Sequence, residues 1–219
     1  MRTLVFWVIF GYYKSMKLLL TSTGLPNEII RNKFLNLVCK DPKNIIVGFI
    51  PTAADPEEDK WFVDEALNQI KEMGMHIRIV DLKGKNEESL KEKLENCDVI
   101  YVNGGNTFYL LDWVRKSGFD KVIRPLLEEG KVYIGGSAGG LIAGPSIDVA
   151  SWKGGDINEI GLIDFTGLNL VPFTIYPHYT MENATLLEEM TKKVDYKILP
   201  ITNEQAVLIN GDNVEIIRE

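Results

Sequence analysis

The most informative stretch of this chain is Lys131-Val-Tyr-Ile-Gly-Gly-Ser137-Ala-Gly-Gly-Leu-Ile-Ala-Gly144. Its β-rich start meets a turn of small residues, and a short helical pattern follows. Gly135-x-Ser137-x-Gly139 matches the nucleophile elbow, a sharp turn that raises a serine hydroxyl above the end of a parallel sheet. The turn brings backbone segments close together, so the residues around the serine must be small. A helix beginning near Ala138 would point free N–H groups at an oxyanion formed beside Ser137.

This motif has a second interpretation. A glycine-rich turn between a strand and a helix also binds phosphate groups, with Ser137 as one more donor. The G-x-S-x-G pattern is too short to choose between a nucleophile and an anion site. The remainder of the sequence therefore has to decide between the two.

Composition indicates a single globular domain with an ordinary core. The chain has 219 residues, of which 45% are hydrophobic and 25% are charged, and this suits one α/β domain. The formal net charge is −7 and the sequence pI is near 5.0, so a nucleic-acid partner is not expected. Cys39 and Cys97 lie far apart and outside any C-x-x-C or His-paired spacing, so neither a disulfide nor a metal site is expected. The expected location is cytoplasmic.

Residues 1–15 are interpreted as an extension outside the fold, and residues 16–219 as a single domain. The apolar run Thr3–Tyr13 is too short to span a bilayer, so no membrane partner is expected. Tyr12-Tyr13-Lys14 is a poor cleavage site for a signal peptide. Met16-Lys17-Leu-Leu-Leu20 has the character of a buried first strand.

Strand and helix patterns alternate along the first two thirds of the chain. Continuous apolar runs, typical of strands buried on both faces, occur at Lys17–Thr21, Ile45–Ile50, His76–Val80 and Asp98–Val102. Periodic apolar stripes predict helices over 27–39, 61–73, 87–94, 106–113 and 119–129. This alternation predicts a doubly wound, mostly parallel sheet, whose ligand sites lie beyond the carboxyl ends of the strands.

The last third of the chain adds further strands and one helix. Strands are predicted over 168–175, 196–200, 205–209 and 214–217, and a helix over 182–193. Asn210-Gly211-Asp212 is expected to join the last two strands as a hairpin turn. The segment Ala150–Asp156 has the composition of a loop, of the kind that shapes a pocket beside an active site.

The segment Asn103-Gly-Gly-Asn-Thr-Phe108 follows a predicted strand and opens a predicted helix. Two glycines at a strand end leave backbone N–H groups able to approach a ligand. Gly104, Asn106 and Thr107 are therefore candidate substrate contacts. The alternative is a tight turn in which Asn106 only caps the helix, and spacing alone does not distinguish the two.

A serine nucleophile needs a base, usually histidine, and the chain has two histidines. His76 stands at the start of a predicted strand, opposite the elbow, and is expected to be a bystander. His178 stands at the end of a predicted strand and is the candidate base. The carboxylate that orients it could be Glu204, Asp156 or Asp148, and position alone does not choose among them.

Three motifs in this order and spacing make the sequence similar to the peptidase E family of serine peptidases (S51), which includes cyanophycinases. The motifs are Asn103–Phe108, Gly135–Gly139 and Pro177-His178. The resemblance covers nearly all of residues 16–219 and implies a class I glutamine-amidotransferase-like, flavodoxin-like α/β fold. A glutamine amidotransferase would carry cysteine at position 137, so Ser137 disfavours that chemistry.

The resemblance also implies roles for individual residues. Ser137 would be the nucleophile and His178 the base. The backbone N–H groups of Gly105 and Ala138 would form the oxyanion hole. With these roles the chain would be a cofactor-free serine peptidase acting on short peptides.

For the third member of the triad the family offers two precedents, an aspartate in the loop after the elbow or a glutamate beyond the base. The segment Ile198–Ala206 resembles the one that carries the glutamate, so Glu204 is the predicted acid. Asp156 is the second choice. A carboxylate there would fix the tautomer of His178 and stabilise the imidazolium formed during attack.

The sequence departs from the bacterial aspartyl dipeptidases of this family. Those enzymes carry an aspartate in the loop after the elbow, where this chain has Trp152. They bind the aspartate of the substrate through an arginine soon after the catalytic histidine, and this chain has no arginine between Arg124 and Arg218. Lys153 and Lys192 could attract an acidic side chain, but only as mobile point charges. Strict specificity for Asp-X peptides is therefore not expected.

A non-catalytic member of the family is the alternative function. Such a protein would bind a small molecule or a peptide and keep the elbow as an anion site. The resemblance also makes a homodimer plausible, without pointing to an interface.

Overall fold

The computed structural model describes residues 7–8, 16–152 and 154–218. Its strands are β1 (Trp7–Val8), β2 (Lys17–Thr21), β3 (Ile46–Ile50), β4 (His76–Ile79), β5 (Val99–Val102), β6 (Val132–Gly136), β7 (Phe173–Tyr176), β8 (Lys197–Pro200), β9 (Ala206–Asn210) and β10 (Asn213–Ile217). Its α-helices are α1 (Glu28–Val38), α2 (Trp61–Glu72), α3 (Glu87–Leu94), α4 (Thr107–Ser117), α5 (Phe119–Glu128), α6 (Ala138–Leu141) and α7 (Ala184–Thr191).

Eight of the described strands form one sheet in the order β1-β10-β9-β2-β6-β5-β3-β4. The five strands from β2 to β4 in this order are parallel, and β9, β10 and β1 extend the sheet with antiparallel pairs. β7 and β8 form a separate parallel pair. The prediction of a doubly wound, mostly parallel α/β sheet is confirmed.

Helices cover both faces of this sheet because its buried strands alternate apolar side chains between two cores. On one face Leu19 belongs to the core that contains Phe34 of α1 and Ile70 of α2. On the other face Leu20 belongs to the core that contains Leu110 of α4. Two-sided burial explains why the strands read as continuous apolar runs in the sequence.

Asparagine side chains fix the beginning of three helices. The side chains of Asn27, Asn86 and Asn106 accept hydrogen bonds from backbone N–H groups in the first turns of α1, α3 and α4. Each removes one unsatisfied donor at a helix start. Asn106 therefore caps α4, as the alternative interpretation of its segment expected.

The strand predicted over 168–175 is wrong in its first half. Residues 168–170 instead return to the segment after the elbow, with Leu168 N–H bonded to Ile142 O at 2.7 Å and Leu170 N–H to Ala143 O at 2.9 Å. Asn169 between them has a positive φ of 51°, which interrupts an extended strand. Regular pairing therefore begins only at Phe173.

The carboxyl ends of β2, β6 and β5 meet at one edge of the sheet. Thr21 at the end of β2 pairs with Gly136 at the end of β6, and Val102 of β5 pairs with Gly135. Loops that follow parallel strands at one edge converge. The segments after Thr21, Val102 and Gly136 are therefore neighbours, and they include both motifs singled out in the sequence.

Residues 1–15 lie mostly outside the described residues. Within them, Trp7–Val8 forms β1, whose backbone pairs with Val214 and Asn213 of β10 at the edge of the sheet. No helix in the described parts of the chain is long and apolar enough to cross a membrane.

Deleting residues 1–15 is expected to leave the domain folded. A two-residue ladder at a sheet edge adds little to the pairing of β10, which is already bonded to β9 along five residue pairs. We expect the melting temperature to fall by less than about 3 °C, since 1 kcal/mol corresponds to about 2–4 °C in a domain of this size. Thermal unfolding of the full-length and truncated proteins checks this. A much larger fall would mean that the extension belongs to the domain.

Candidate active site

Ser137 sits in a strained turn between β6 and α6. Its backbone has φ 46° and ψ −107°, a conformation that non-glycine residues rarely adopt. The small neighbours have a steric cause. A Cβ atom on Gly139 would lie 2.1 Å from the carbonyl oxygen of Val102, and one on Gly135 would lie 2.6 Å from the carbonyl oxygen of Gly139. The strand, elbow and helix predicted from the sequence are therefore present.

His178 lies beside the serine. Its Nε2 is 3.0 Å from Ser137 Oγ, which is hydrogen-bond distance for a nucleophile and its base. His178 also has a positive φ of 57°, and its backbone N–H donates to Ser22 Oγ at 3.0 Å. Ser22 follows β2, so the end of that strand holds the histidine against the elbow.

The other ring nitrogen of His178 contacts an asparagine. Nδ1 is 2.8 Å from Asn203 Oδ1. Because an amide oxygen can only accept, this contact assigns the proton to Nδ1 and leaves Nε2 free to accept from the Ser137 hydroxyl. Asn203 therefore selects the tautomer that a serine nucleophile requires.

The predicted acid, Glu204, is not brought to His178. Its carboxylate accepts a hydrogen bond from Asn27 Nδ2 at 3.3 Å, and its backbone oxygen accepts from the same group at 3.2 Å. Residues 202–205 form a turn, closed by a bond from Gln205 N–H to Thr202 O at 3.2 Å. Consecutive side chains of a turn point in different directions, so Asn203 reaches the histidine while Glu204 faces outward.

Asn203 is the neighbour of Glu204 in the turn between β8 and β9 and was not among the residues predicted from the sequence. That prediction considered only carboxylates, although an amide can also orient an imidazole, as in Cys-His-Asn sites.

The two other candidate acids also lie away from His178 Nδ1. Asp156 Oδ2 accepts a hydrogen bond from Thr107 N–H at 2.7 Å, which places this charge at the beginning of α4. Asp148 Oδ2 accepts from Ser146 Oγ at 2.8 Å and from the Tyr196 hydroxyl at 3.1 Å. Burial raises the pKa of Tyr196 to about 12, so this hydroxyl remains a donor.

His76 lies at the start of β4, whereas the elbow follows the end of the parallel strand β6, so the two are at opposite edges of the sheet. His76 is exposed, and its Nε2 lies 2.9 Å from the carbonyl oxygen of Lys43. This geometry agrees with the prediction that His76 takes no part in the site.

The segment after β5 contributes the wall next to the serine. A Cβ atom on Gly104 would lie 3.2 Å from Ser137 Cβ, so this position needs glycine for close approach. Gly105 has φ +129°, and a Cβ there would lie 2.2 Å from the carbonyl oxygen of Ala53. Ala138 is the first residue of α6. Gly105 and Ala138 thus flank the serine, and their role as oxyanion donors stays a prediction.

Asn106 and Thr107, the other predicted substrate contacts, differ in what they can offer. The side chain of Asn106 is occupied, since Oδ1 accepts from Tyr109 N–H at 3.0 Å and Nδ2 donates to Ile157 O at 2.9 Å. Thr107 is 1% exposed, and its hydroxyl has no hydrogen-bond partner among the described residues. Thr107 therefore keeps a polar group for a ligand or a water molecule.

Two cavities flank Ser137, and both include Ser137, His178 and Asp156 in their walls. One, here called the acidic cavity, has a volume of about 280 Å³. Its other walls include Glu57, Trp61, Phe62, Glu65, Asn103, Gly104 and Gly105. The second cavity has a volume of about 260 Å³ and includes Thr107, Leu141, Trp152, Tyr176 and Asn183.

Two buried polar atoms without a hydrogen-bond partner among the described residues belong to residues in the cavity walls, Asn103 in the acidic cavity and Thr107 in the second cavity. Tyr101 Oη, Asn103 Nδ2 and Thr107 Oγ1 are buried without a hydrogen-bond partner in the described part of the chain. Burial also raises the pKa of Tyr101, which keeps its hydroxyl protonated. Buried polar atoms are normally paired, so a group of unpaired ones marks a place for water or ligand.

The acidic cavity has an electrostatic consequence for Glu57. Its pKa is raised, first by burial and then by the neighbouring charges of Asp156 and Glu159, while Lys60 opposes the shift.

The described residues contain no group of three or more His, Cys, Asp or Glu side chains able to hold a metal ion.

A serine–histidine pair at the carboxyl edge of a parallel sheet, with the serine on a strained turn into a helix, is the arrangement of an α/β serine hydrolase. The chain belongs to peptidase family S51, whose family model matches residues 18–217. It is therefore a serine-type peptidase, and the resemblance to the peptidase E family is confirmed.

Individual relatives agree with this assignment. The chain is 39% identical to uncharacterised peptidase PM1590 of Pasteurella multocida, over 80% of this chain and 86% of the relative. It is 33% identical to a peptidase E of Nostoc sp., over 76% of this chain and 66% of the relative. A crystal structure of a candidate peptidase E protein from Listeria monocytogenes superposes with a TM-score of 0.78 at 33% identity, covering 93% of this chain and 98% of that one.

Replacing Glu57 by glutamine is expected to raise the melting temperature near neutral pH but not in acid. A carboxyl with a raised folded-state pKa stabilises the fold while protonated and loses that contribution as the pH rises through its folded-state pKa. Glutamine is neutral at every pH, so it removes this loss. Melting temperatures measured at about pH 4 and about pH 7.5, on either side of an ordinary glutamate pKa, check the prediction. Equal changes at both values would contradict it, and Glu58→Gln, at an exposed neighbour, is the control.

Proposed function

We propose that the protein hydrolyses short peptides with Ser137 as nucleophile, His178 as general base and acid, and Asn203 as the residue that positions the histidine. The observation that carries this proposal is the 3.0 Å contact between Ser137 Oγ and His178 Nε2. Peptidases of family S51 and relatives named peptidase E support the reaction class. Short peptides as substrates are supported by the limited volumes of the two cavities, about 280 Å³ and about 260 Å³.

In this mechanism Ser137 Oγ attacks the carbonyl carbon of the scissile peptide bond while its proton passes to His178 Nε2. The tetrahedral intermediate places negative charge on the former carbonyl oxygen. It collapses by breaking the C–N bond, and His178 returns the proton to the departing amine. A water molecule then repeats attack and proton transfer on the acyl-enzyme, which releases the second product and restores the serine.

The proposed oxyanion hole consists of the N–H groups of Gly105 and Ala138. Support comes from their positions on the two segments that flank Ser137, after β5 and at the start of α6. Removing one donor of such a hole costs about 3–4 kcal/mol in the barrier of related hydrolases. These donors are backbone groups and do not depend on a particular side chain, but a Cβ atom at position 105 would clash with the carbonyl oxygen of Ala53 and displace that donor.

An asparagine in place of a carboxylate changes the energetics of the proposed triad. Asn203 Oδ1 fixes the tautomer and ring orientation of His178 by its 2.8 Å contact. It offers a dipole rather than a full charge to the imidazolium formed during attack. Positioning is thus retained, while electrostatic stabilisation of the imidazolium is weaker than in a Ser-His-Asp site.

A fluorophosphonate probe is expected to label the wild-type protein on Ser137. The probe reports a serine that is activated by a neighbouring base, and Ser137→Ala removes the reacting oxygen. Intact-mass spectrometry and peptide mapping measure the modification. Labelling of a different serine, or equal labelling of Ser137→Ala, would contradict the proposal. No labelling at high probe concentration would favour the non-catalytic peptide-binding alternative.

Substitutions at Asn203 and Glu204 test the assignment of the third residue. Asn203→Ala is expected to lower kcat by about 10²-fold, the lower end of what a positioned general base contributes, with little change in KM. Glu204→Gln, one residue away, is the matched control and should retain activity near that of the wild type. A large loss in Glu204→Gln together with an active Asn203→Ala would show that the glutamate is the triad acid.

A pH profile of Asn203→Asp separates positioning from general disruption of the fold. The new carboxylate would stabilise the imidazolium form of His178, so the acid limb of the kcat profile should move to higher pH. A residue with a merely structural role would not move this limb.

A further inference from the structure

We infer that the acidic cavity binds a positively charged group of the substrate, so that the peptidase prefers peptides with an amino-terminal lysine or arginine. This inference rests on the proposed function, because the cavity is defined by its place beside Ser137. It names the substrate class that the site selects, and the residues it assigns to specificity are Glu57, Glu65 and Asp156.

The first observation is an excess of negative charge in the walls of the cavity. Glu57, Glu65 and Asp156 line the cavity, and none of the described residues in its walls is lysine or arginine. None of these three carboxylates forms an ion pair within the described part of the chain. Lys60 acts on Glu57 through its charge, but its Nζ donates to the carbonyl oxygen of Asp55 at 3.3 Å and forms no ion pair with a carboxylate of the described residues.

The hydrogen bonds of the three carboxylates leave capacity for a ligand. Glu65 accepts from Gln69 Nε2 at 3.3 Å, and Asp156 uses Oδ2 for Thr107 N–H at 2.7 Å. The carboxylate of Glu57 accepts no hydrogen bond from the described residues, although the residue is partly buried. Burial is the largest cause of the raised pKa of Glu57 and the charge of Asp156 is the next, so these two carboxylates interact and would together attract a cation.

A second, independent observation points to a ligand in the same cavity. Asn103 is 4% exposed, lines the acidic cavity beside Ser137, and leaves its Nδ2 without a partner among the described residues. A buried amide donor of this kind is normally satisfied. A peptide carbonyl oxygen would accept this hydrogen bond. The cavity therefore suits a ligand that carries both a hydrogen-bond acceptor and a positive charge.

Aromatic side chains at the cavity wall suit the same ligand. Trp61 and Phe62 pack edge to face, with ring centroids 6.1 Å apart, and Trp61 remains 64% exposed. Such rings accommodate the methylene stem of lysine or arginine, and their faces attract the charged head. An acidic side chain would meet repulsion from the three carboxylates instead. Aspartate at the amino terminus, the substrate residue of related aspartyl dipeptidases, is therefore disfavoured.

A set of dipeptides tests the inference on the full chain. Lys-Ala, Nε-acetyl-Lys-Ala, norleucine-Ala and Asp-Ala share one leaving residue and differ in side-chain charge. We expect kcat/KM for Lys-Ala to exceed that for the two neutral analogues by about five- to tenfold, the range of a charge pair partly shielded from water. Asp-Ala should be hydrolysed most slowly.

Two variants connect this preference to the cavity. Glu57→Gln should reduce the ratio of Lys-Ala to norleucine-Ala to about one- to threefold, since one charge partner is lost. Glu58→Gln is the matched control, because Glu58 is exposed and absent from the cavity walls. If the wild type prefers Lys-Ala and the ratio stays unchanged in Glu57→Gln, the inference is overturned. A wild type that favours Asp-Ala would overturn it as well.

The cation could be the lysine side chain or the α-ammonium group of any peptide, and the experiment distinguishes these sources. If Lys-Ala and norleucine-Ala are hydrolysed equally, Nα-acetylation should abolish hydrolysis by the wild type and affect Glu57→Gln much less. That result would support the acidic cavity as the site of the α-ammonium group. Equal hydrolysis of free and Nα-acetylated peptides, combined with no preference for lysine, would contradict both sources.

Binding measurements separate failure of this inference from failure of the proposed function. Calorimetric titration of Lys-Ala and Asp-Ala into Ser137→Ala requires no catalysis. Tighter binding of Lys-Ala, weakened by a second substitution Glu57→Gln, would support the cavity even if the wild type hydrolysed none of the peptides. Binding of Asp-Ala as tight as that of Lys-Ala would overturn the inference whether or not Ser137 is catalytic.

Discussion

The close approach of the elbow to strand β5 is the constraint on which the site depends. Gly139 packs so tightly on the Val102 carbonyl that a Cβ atom there would lie only 2.1 Å from the oxygen. This contact seats α6 directly beyond β6 and holds Ser137 at φ 46°. A strained residue persists only when its surroundings determine its conformation. Here the parallel pairing of β6 with β2 and with β5 holds the backbone that leads into Ser137 in place.

A second, smaller sheet places His178 and Asn203 beside Ser137. His178 follows β7 and Asn203 follows β8, and these two strands pair with each other rather than with the main sheet. Ser22 connects the two sheets, since its hydroxyl accepts from His178 N–H at 3.0 Å and donates to the carbonyl of Thr202 at 3.1 Å. One buried hydroxyl thus fixes both the histidine and the turn that carries its orienting residue.

The predictable and unpredictable parts of this protein differ in their physical origin. The elbow and His178 followed from the sequence because steric demand for glycine and the scarcity of histidine leave few choices. Asn203 did not, because a turn changes side-chain direction with every residue, and local hydrogen bonds decide which one faces inward. The error over residues 168–172 is similar. Their apolar composition suits a strand, but bonds to the segment after the elbow and the positive φ of Asn169 redirect the chain.

The unpaired polar groups around Ser137 lower the stability of the folded protein. The excess of negative charge in the acidic cavity and the buried, unpartnered Asn103 amide are both unfavourable in the free protein, because like charges repel and buried polar groups are stabilised by pairing. These costs are already incurred when the chain folds. A ligand that supplies a cation and a carbonyl oxygen relieves them on binding, so part of its affinity comes from the instability of the empty site. The same argument gives the selectivity that we propose, since a ligand without a cation leaves the repulsion between the carboxylates in place, and a ligand with an added carboxylate increases it.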